Sequence, residues 1–138
     1  MKSKVCGESR WCGHKNRTFN ASFKHAVRGI FVAVLLEANI RRQLLLLFFA
    51  LVLAVLLGLS AQQILLIITI AGLVLTAELF NSSLEALADG LHPDYNECIE
   101  RAKDIAAGAV LVISTIAFII GLVVIGPPLW QVILLVVG

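Results

Sequence analysis

The stretch ILLIITIAGLVLTAELFNSSLEALAD (64–89) decides the reading of this chain. It opens as an uncharged apolar run, Ile64 to Ala77, and closes on Glu78, Asn81, Glu85 and Asp89. Steps of three, four and four residues on a helix of 3.6 residues per turn hold those four side chains within roughly 80° of one another. One stripe therefore carries three carboxylates and an amide where a hydrophobic helix leaves the bilayer. Ionisable groups at such a depth are costly, and are usually kept for function. A stripe of this kind can hold a hard cation such as Mg²⁺, or move a proton. A solvated helix end is the plainer account. It suits Asp89 well but suits Glu78 less, because Glu78 lies between Leu75 and Leu79.

The rest of the 138-residue chain agrees with a membrane setting. It is 59% hydrophobic and only 14% charged, where a soluble domain is about a quarter charged. No Asp, Glu, Lys or Arg occurs between Arg42 and Glu78, and none follows Asp104. About 20 apolar residues make one helical span. Three windows qualify: Leu44 to about Ala61, Ile64 to about Leu84, and Ile105 to Ile125. All eleven Lys and Arg lie before the first window or between the second and third. The positive-inside rule then puts the N-terminus and the 89–104 segment in the cytoplasm, and the Gly58–Gln63 connector and the C-terminus outside. No n-region, h-region and cleavage-site pattern opens the chain, so no signal peptide is expected. Three spans enclose little, so a site completed between subunits is expected.

Residues 1–20 read as a polar cytoplasmic tail. Cys6-x5-Cys12-x-His14 does not fit the usual zinc pairs, and a cytoplasmic Cys98 argues against structural disulfides. Ser22 to Glu37 reads as an amphipathic helix on the membrane surface, with Ser22 as N-cap and an apolar part too short to span. Arg41 and Arg42 suit a membrane anchor. Two accounts of Glu37 stand side by side: a pair with Arg41 one turn on, or a metal ligand facing the acidic stripe. Pro93 interrupts the helix after Gly90, and Asn96, Glu97 and Glu100 suit a new helix start. Lys103 could neutralise a phosphate chain or simply anchor the span. Pro127-Pro128 is expected to end the third span, leaving 127–138 as a short outer tail in which Trp130 suits the interface. The chain has no Walker A loop and no kinase HRD or DFG set.

The run Glu78-x-x-Asn81-Ser82-x-Leu84-Glu85-x-x-x-Asp89, followed by Lys103-Asp104-x-Ala106-Ala107-x-Ala109-Val110, resembles the prokaryotic diacylglycerol kinase family over about residues 20–126. The resemblance implies an all-α membrane protein with three transmembrane helices and an N-terminal surface helix, assembled as a homotrimer in a bacterial cell membrane. It implies a lipid kinase domain over 21–126, which moves the γ-phosphoryl group of MgATP to the hydroxyl of a lipid alcohol such as diacylglycerol or undecaprenol. Carried over residue by residue, Glu78 matches the general base, and Glu37 and Glu85 match metal-binding glutamates. Asn81, Asp89, Lys103 and Asp104 match nucleotide-site positions. Asn96 stands where some diacylglycerol kinases have histidine, and Gln43 stands where the Gram-positive branch commonly has histidine. The Glu37-x-Asn39-x-Arg41 element looks more like the undecaprenol kinase branch.

A rival class is a small oligomeric ion channel or metal transporter with the stripe as its cation site. Transport asks for polar positions through the depth of a span. Leu44–Leu57 has none, the outer half of the second window offers only Thr69 and Gly72, and the third offers Ser114, Thr115 and Gly121. A kinase fits better, since phosphoryl transfer needs mainly positioning and charge neutralisation.

Overall fold

A computed structural model describes residues 18–91 and 96–137. Cys6, Cys12 and His14, and the turn around Pro93, lie outside the described residues. Four helices follow one another: α1 (Phe19–Leu36), α2 (Ala38–Leu56), α3 (Ala61–Leu91) and α4 (Glu97–Val137). The chain divides into two compact units, Met1–Val32 and Ala33–Gly138. In the first, the described part is the opening of α1. Its helix starts earlier than Ser22. The amides of Ala21 and Ser22 already donate to Thr18 O at 2.9 and 3.1 Å, so Ser22 is a helical residue and not an N-cap. No α1 residue is buried.

In the second unit, α3 packs against both α2 and α4. Short connectors make both pairs antiparallel hairpins. Gly58 closes α2 with a φ of 66°, a left-handed value that a Cβ disfavours. Gly58 N donates to Val55 O at 3.0 Å and Leu59 N to Ala54 O at 3.0 Å, which is the Schellman pattern. Two residues later Ser60 starts α3. Ser60 N donates to Gln63 Oε1 at 2.9 Å, while Gln63 N reaches Ser60 Oγ at 3.4 Å. This reciprocal capping box satisfies two donors that the helix leaves free. At the other hairpin, Asn96 Oδ1 accepts from Cys98 N at 3.0 Å and Ile99 N at 3.4 Å. The expected helix start at Asn96 is therefore an N-cap.

Ala54, Ile67 and Val124, one each from α2, α3 and α4, form the buried core, with Leu47, Ala50, Ile64 and Ile120 packed on it. Much larger apolar groups, among them Phe48, Phe49, Phe80, Phe118 and Leu122, stay exposed. Such a surface needs hydrocarbon or another protein against it. Four helices are long and apolar enough to cross a membrane, α1 included, at 18 residues and a mean hydropathy of 1.2. Length and composition thus count four where the sequence reading counts three spans and a surface helix. Lys24 and Arg28 do not outweigh the Ile30–Leu36 run.

The expected stop at Pro127-Pro128 is not there. Helix α4 runs through both prolines to Val137, over 41 residues. Proline's fixed φ is itself helical, so each ring costs local bonding but need not end a helix in apolar surroundings.

Candidate active site

Helix α3 buries Ile67, Val74, Glu78 and Asn81. Steps of seven, four and three keep these within roughly 60° of one face. The stripe recognised in the sequence is therefore the continuation of the packing face of α3, not a separate polar side. Burial falls along it. Glu78 is 4% exposed and Asn81 9%, Glu85 is half-buried, and Asp89 is exposed. At 1.5 Å per residue, Glu78 stands about 26 Å from the start of α3, near the far edge of a hydrocarbon layer about 30 Å thick. Asp89 stands about 17 Å further on.

Asn81 Nδ2 donates to Glu85 Oε1 at 2.8 Å. That bond fixes the carboxylate one turn along and leaves its second oxygen available. Among the described residues Asn81 Oδ1 is buried without a donor, and so is Gln43 Oε1 on α2. A buried acceptor left unmade costs about 1–3 kcal/mol, so two such oxygens call for an explanation. No hydrogen bond reaches the Glu78 carboxylate among the described residues.

Lys103 Nζ lies 3.0 Å from Asp89 Oδ1 and 3.9 Å from Glu100 Oε1. Two sequence-predicted positions, Asp89 and Lys103, meet here; Asp104 follows on α4, exposed, with no ion pair of its own among the described residues. Glu37 is elsewhere in the chain path. It is the single extended residue between α1 and α2, with φ −93° and ψ 115°, and is half-buried. Arg41 does not pair with it. Arg41 Nη1 donates instead to Val34 O at 3.2 Å and Leu35 O at 2.7 Å, capping the end of α1. The ion-pair account of Glu37 therefore gives way.

No hydrogen bond or ion pair joins Glu37 to the stripe among the described residues. Among the described residues no three His, Cys, Asp or Glu side chains gather to hold a metal. Mg²⁺ bound with phosphates asks for less, one or two carboxylates with other oxygens completing the octahedron. The free oxygens of Glu85 and Asn81, all hard donors, fit that demand.

Outward of this layer an apolar groove of about 700 Å³ runs between α2, α3 and α4. Gln43 and Ser114 are its polar side chains, and with Leu75 they mark the end nearest Glu78.

A profile described as prokaryotic diacylglycerol kinase matches residues 24–125. The chain belongs to the prokaryotic diacylglycerol kinase family. Among its relatives, the undecaprenol kinase of Bacillus subtilis (strain 168) is 33% identical over 118 residues, covering 84% of this chain and 96% of that protein. The diacylglycerol kinase of Escherichia coli (strain K12) is 34% identical over 92 residues, 67% of this chain and 75% of its own length. The diacylglycerol kinase of Synechocystis is 34% identical over 109 residues, 78% of this chain and 62% of its own. Membership in this lipid kinase family carries a lipid substrate and a membrane setting with it. It also gives the buried stripe of α3 a chemical context. The sequence reading treated Gln43 as a departure from the family pattern and missed its buried amide oxygen. The signal was its uncharged polarity at an otherwise apolar helix face.

Proposed function

We propose that this chain is an ATP-dependent kinase that transfers the γ-phosphoryl group of MgATP to the hydroxyl of a membrane lipid alcohol, diacylglycerol or undecaprenol. The observation that carries the reading is Glu78: a buried residue whose carboxylate has no hydrogen-bond partner among the described residues, one turn from the Asn81–Glu85 pair, where the uncharged run of α3 ends. In this reading Glu78 is the general base that receives the lipid hydroxyl proton. Glu85 and Glu37 hold the metal, which when bound neutralises phosphate charge. Asn81 keeps the Glu85 carboxylate oriented. Lys103, Asp89 and Asp104 contact the nucleotide from the aqueous side, Lys103 supplying an ammonium that can face phosphate and Asp89 together. The lipid approaches within the bilayer and the nucleotide from the cytoplasm, so the stripe is where both can meet.

The same reading has three spans, α2 to α4, with α1 on the inner surface of the bacterial cell membrane. Its large exposed apolar faces support assembly with further copies, a homotrimer in the family's manner. The channel alternative loses support, because the buried face outward of Glu78 is Val74 and Ile67, and Val124 closes the core beyond.

Purified protein in mixed micelles, given γ-labelled MgATP and separately diacylglycerol, undecaprenol and ceramide, tests the proposal. Label is expected in one or more of the first two. Absence of label in every lipid, with folded protein, overturns it.

A further inference from the structure

Nothing in the residues around Glu37 asks a helix to stop. The run Val34-Leu35-Leu36-Glu37-Ala38 has no Gly, no Pro and no β-branched residue after Val34, and Leu, Glu and Ala are among the strongest helix formers. The chain nevertheless turns extended at Glu37, with φ −93° and ψ 115°, and the Glu37 side chain makes no cap hydrogen bond to α2. Residues 33–36, the last turn of α1, fall in one compact unit with α2, so the break lies inside that unit. A continuous helix would send the amides of Ala38 and Asn39 to the carbonyls of Val34 and Leu35. The last bond of α1 is instead Glu37 N to Ala33 O at 2.8 Å, and the two carbonyls beyond it accept from Arg41 Nη1 at 3.2 and 2.7 Å. Ile40, fully buried, fixes the start of α2. The Arg41 guanidinium holds the other side of the break.

The same contact decides the charge beside Glu37. On an unbroken helix Glu37 and Arg41 stand at i,i+4 in the favourable order, and the arginine would neutralise the carboxylate. Engaged on the two carbonyls, Arg41 makes no ion pair with Glu37. We propose that Arg41 is a positioning residue for Glu37: by capping α1 it holds the chain broken at Glu37 and keeps that carboxylate out of an ion pair, open to a divalent cation. The inference rests on the reading of Glu37 as a metal-binding glutamate. Arg41 itself touches neither metal nor phosphate in this role. Local helix preference gives way at this point, as it does where function makes a demand. Three observations fall together: a break in a run of helix formers, an arginine turned from the adjacent glutamate to backbone, and a half-buried carboxylate without a partner among the described residues.

Ala38→Pro separates this role from the bare charge of the arginine. Ala38 is exposed and is the first residue of α2, where proline fits because the amide there has no intrahelical acceptor. Proline also drives the residue before it to extended backbone, the conformation that Glu37 has. In Arg41→Met the break is expected to close. The Asn39 amide of the metal-free protein should then exchange with solvent about tenfold more slowly, since it gains the Leu35 carbonyl. The Mg²⁺ titration of activity should move about tenfold upward, as in Glu37→Gln. Adding Ala38→Pro to Arg41→Met should return both readouts to within about threefold of the parent. A titration that stays shifted in the proline double variant, or that never shifts in Arg41→Met, overturns the role of Arg41. So does an Asn39 exchange rate that Arg41→Met leaves unchanged. If Glu37→Gln titrates like the parent, the metal reading of Glu37 falls instead, and the exchange rates still decide whether Arg41 holds the break. Should Arg41→Met fail to fold, Arg41→Lys, which keeps a charged donor on a shorter stem, should leave both readouts within a few-fold of the parent; a change of about tenfold in either, in that folded variant, counts against the proposal.

Discussion

Lys103 Nζ donates to Asp89 Oδ1 at 3.0 Å and so ties the head of α4 to the tail of α3. The two residues lie on opposite sides of the α3–α4 turn. The carboxylate is 69% exposed and the lysine 25%. An exposed pair of this kind adds little to stability because water screens it, so its value to the protein is better sought in placing the ammonium than in holding the fold.

Replacing Lys103 by Met should therefore raise the KM for ATP by about tenfold, one charge-assisted hydrogen bond to phosphate being worth about that. Thermal unfolding should barely shift. Asp89→Asn should leave the fold equally intact. An unchanged ATP KM in Lys103→Met removes that lysine from the nucleotide site.

Glu78→Gln preserves size and removes the basic oxygen. General-base catalysis contributes about 10²–10⁴-fold, and turnover should fall by that factor while nucleotide binding, followed by a fluorescent ATP analogue, stays within a few-fold of the parent.

Glu85→Gln and Glu37→Gln should each move the Mg²⁺ titration of activity to higher metal concentration, by about tenfold or more. Loss of one hard anionic ligand weakens a site that has few. Superimposable titrations for both variants and the parent would show that neither glutamate meets the metal.

Gly58→Ala forces a Cβ onto a φ of 66°, at an expected cost of about 1 kcal/mol. Ser60→Ala breaks the capping box at a similar cost. Denaturation in detergent should show both, with turnover near that of the parent, because this connector is about 26 Å along α3 from Glu78.

Exposed Cys98 sits just inside the N-cap of α4. In a Cys6→Ser, Cys12→Ser background it should react with impermeant maleimide only from the cytoplasmic side. Gly138→Cys in a chain also lacking Cys98 should react only from outside. Labelling of both from one side would sink the three-span topology.

Much of this was readable from residue order, because helical spacing alone collects Glu78, Asn81, Glu85 and Asp89 on one face. The start of α4 at Asn96 followed from local chemistry too. Ser60-x-x-Gln63 carried an equally plain local signal that went unread beside its charge-free connector. The direction of the gradient from buried Glu78 to exposed Asp89 was legible in the apolar neighbours of Glu78, but its steepness was not, since that depends on how far α2 and α4 extend alongside α3. Nor was the end of α1 legible. Thr18 and Ser22 are comparable cap residues, and only backbone geometry chooses between them. The destination of Arg41 was likewise hidden: the extended Glu37 turns the carbonyls of Val34 and Leu35 within its reach, which a continuous i,i+4 helix would not do.

The two prolines of α4 bear on how the protein sits in depth. Measured from Ile105, Pro127 comes about 33 Å along the helix, just past a hydrocarbon layer of about 30 Å. Neither proline has an amide proton, so the carbonyls of Val123 and Val124, four residues earlier in each case, lose their helical donors. At about 27 and 29 Å from Ile105 those oxygens lie in the last turn within that layer, next to the level at which water takes the place of missing amides. The Leu129–Val137 turns beyond them remain apolar, an overhang longer than the bilayer can cover. Hydrophobic mismatch of this kind is relieved by tilt or by a thicker membrane. In the proposed topology the helix thus carries its own depth mark, with donor-free carbonyls near one boundary and the charged Glu97–Asp104 turns at the other, and membrane thickness becomes a variable to which the height of the acidic layer must respond.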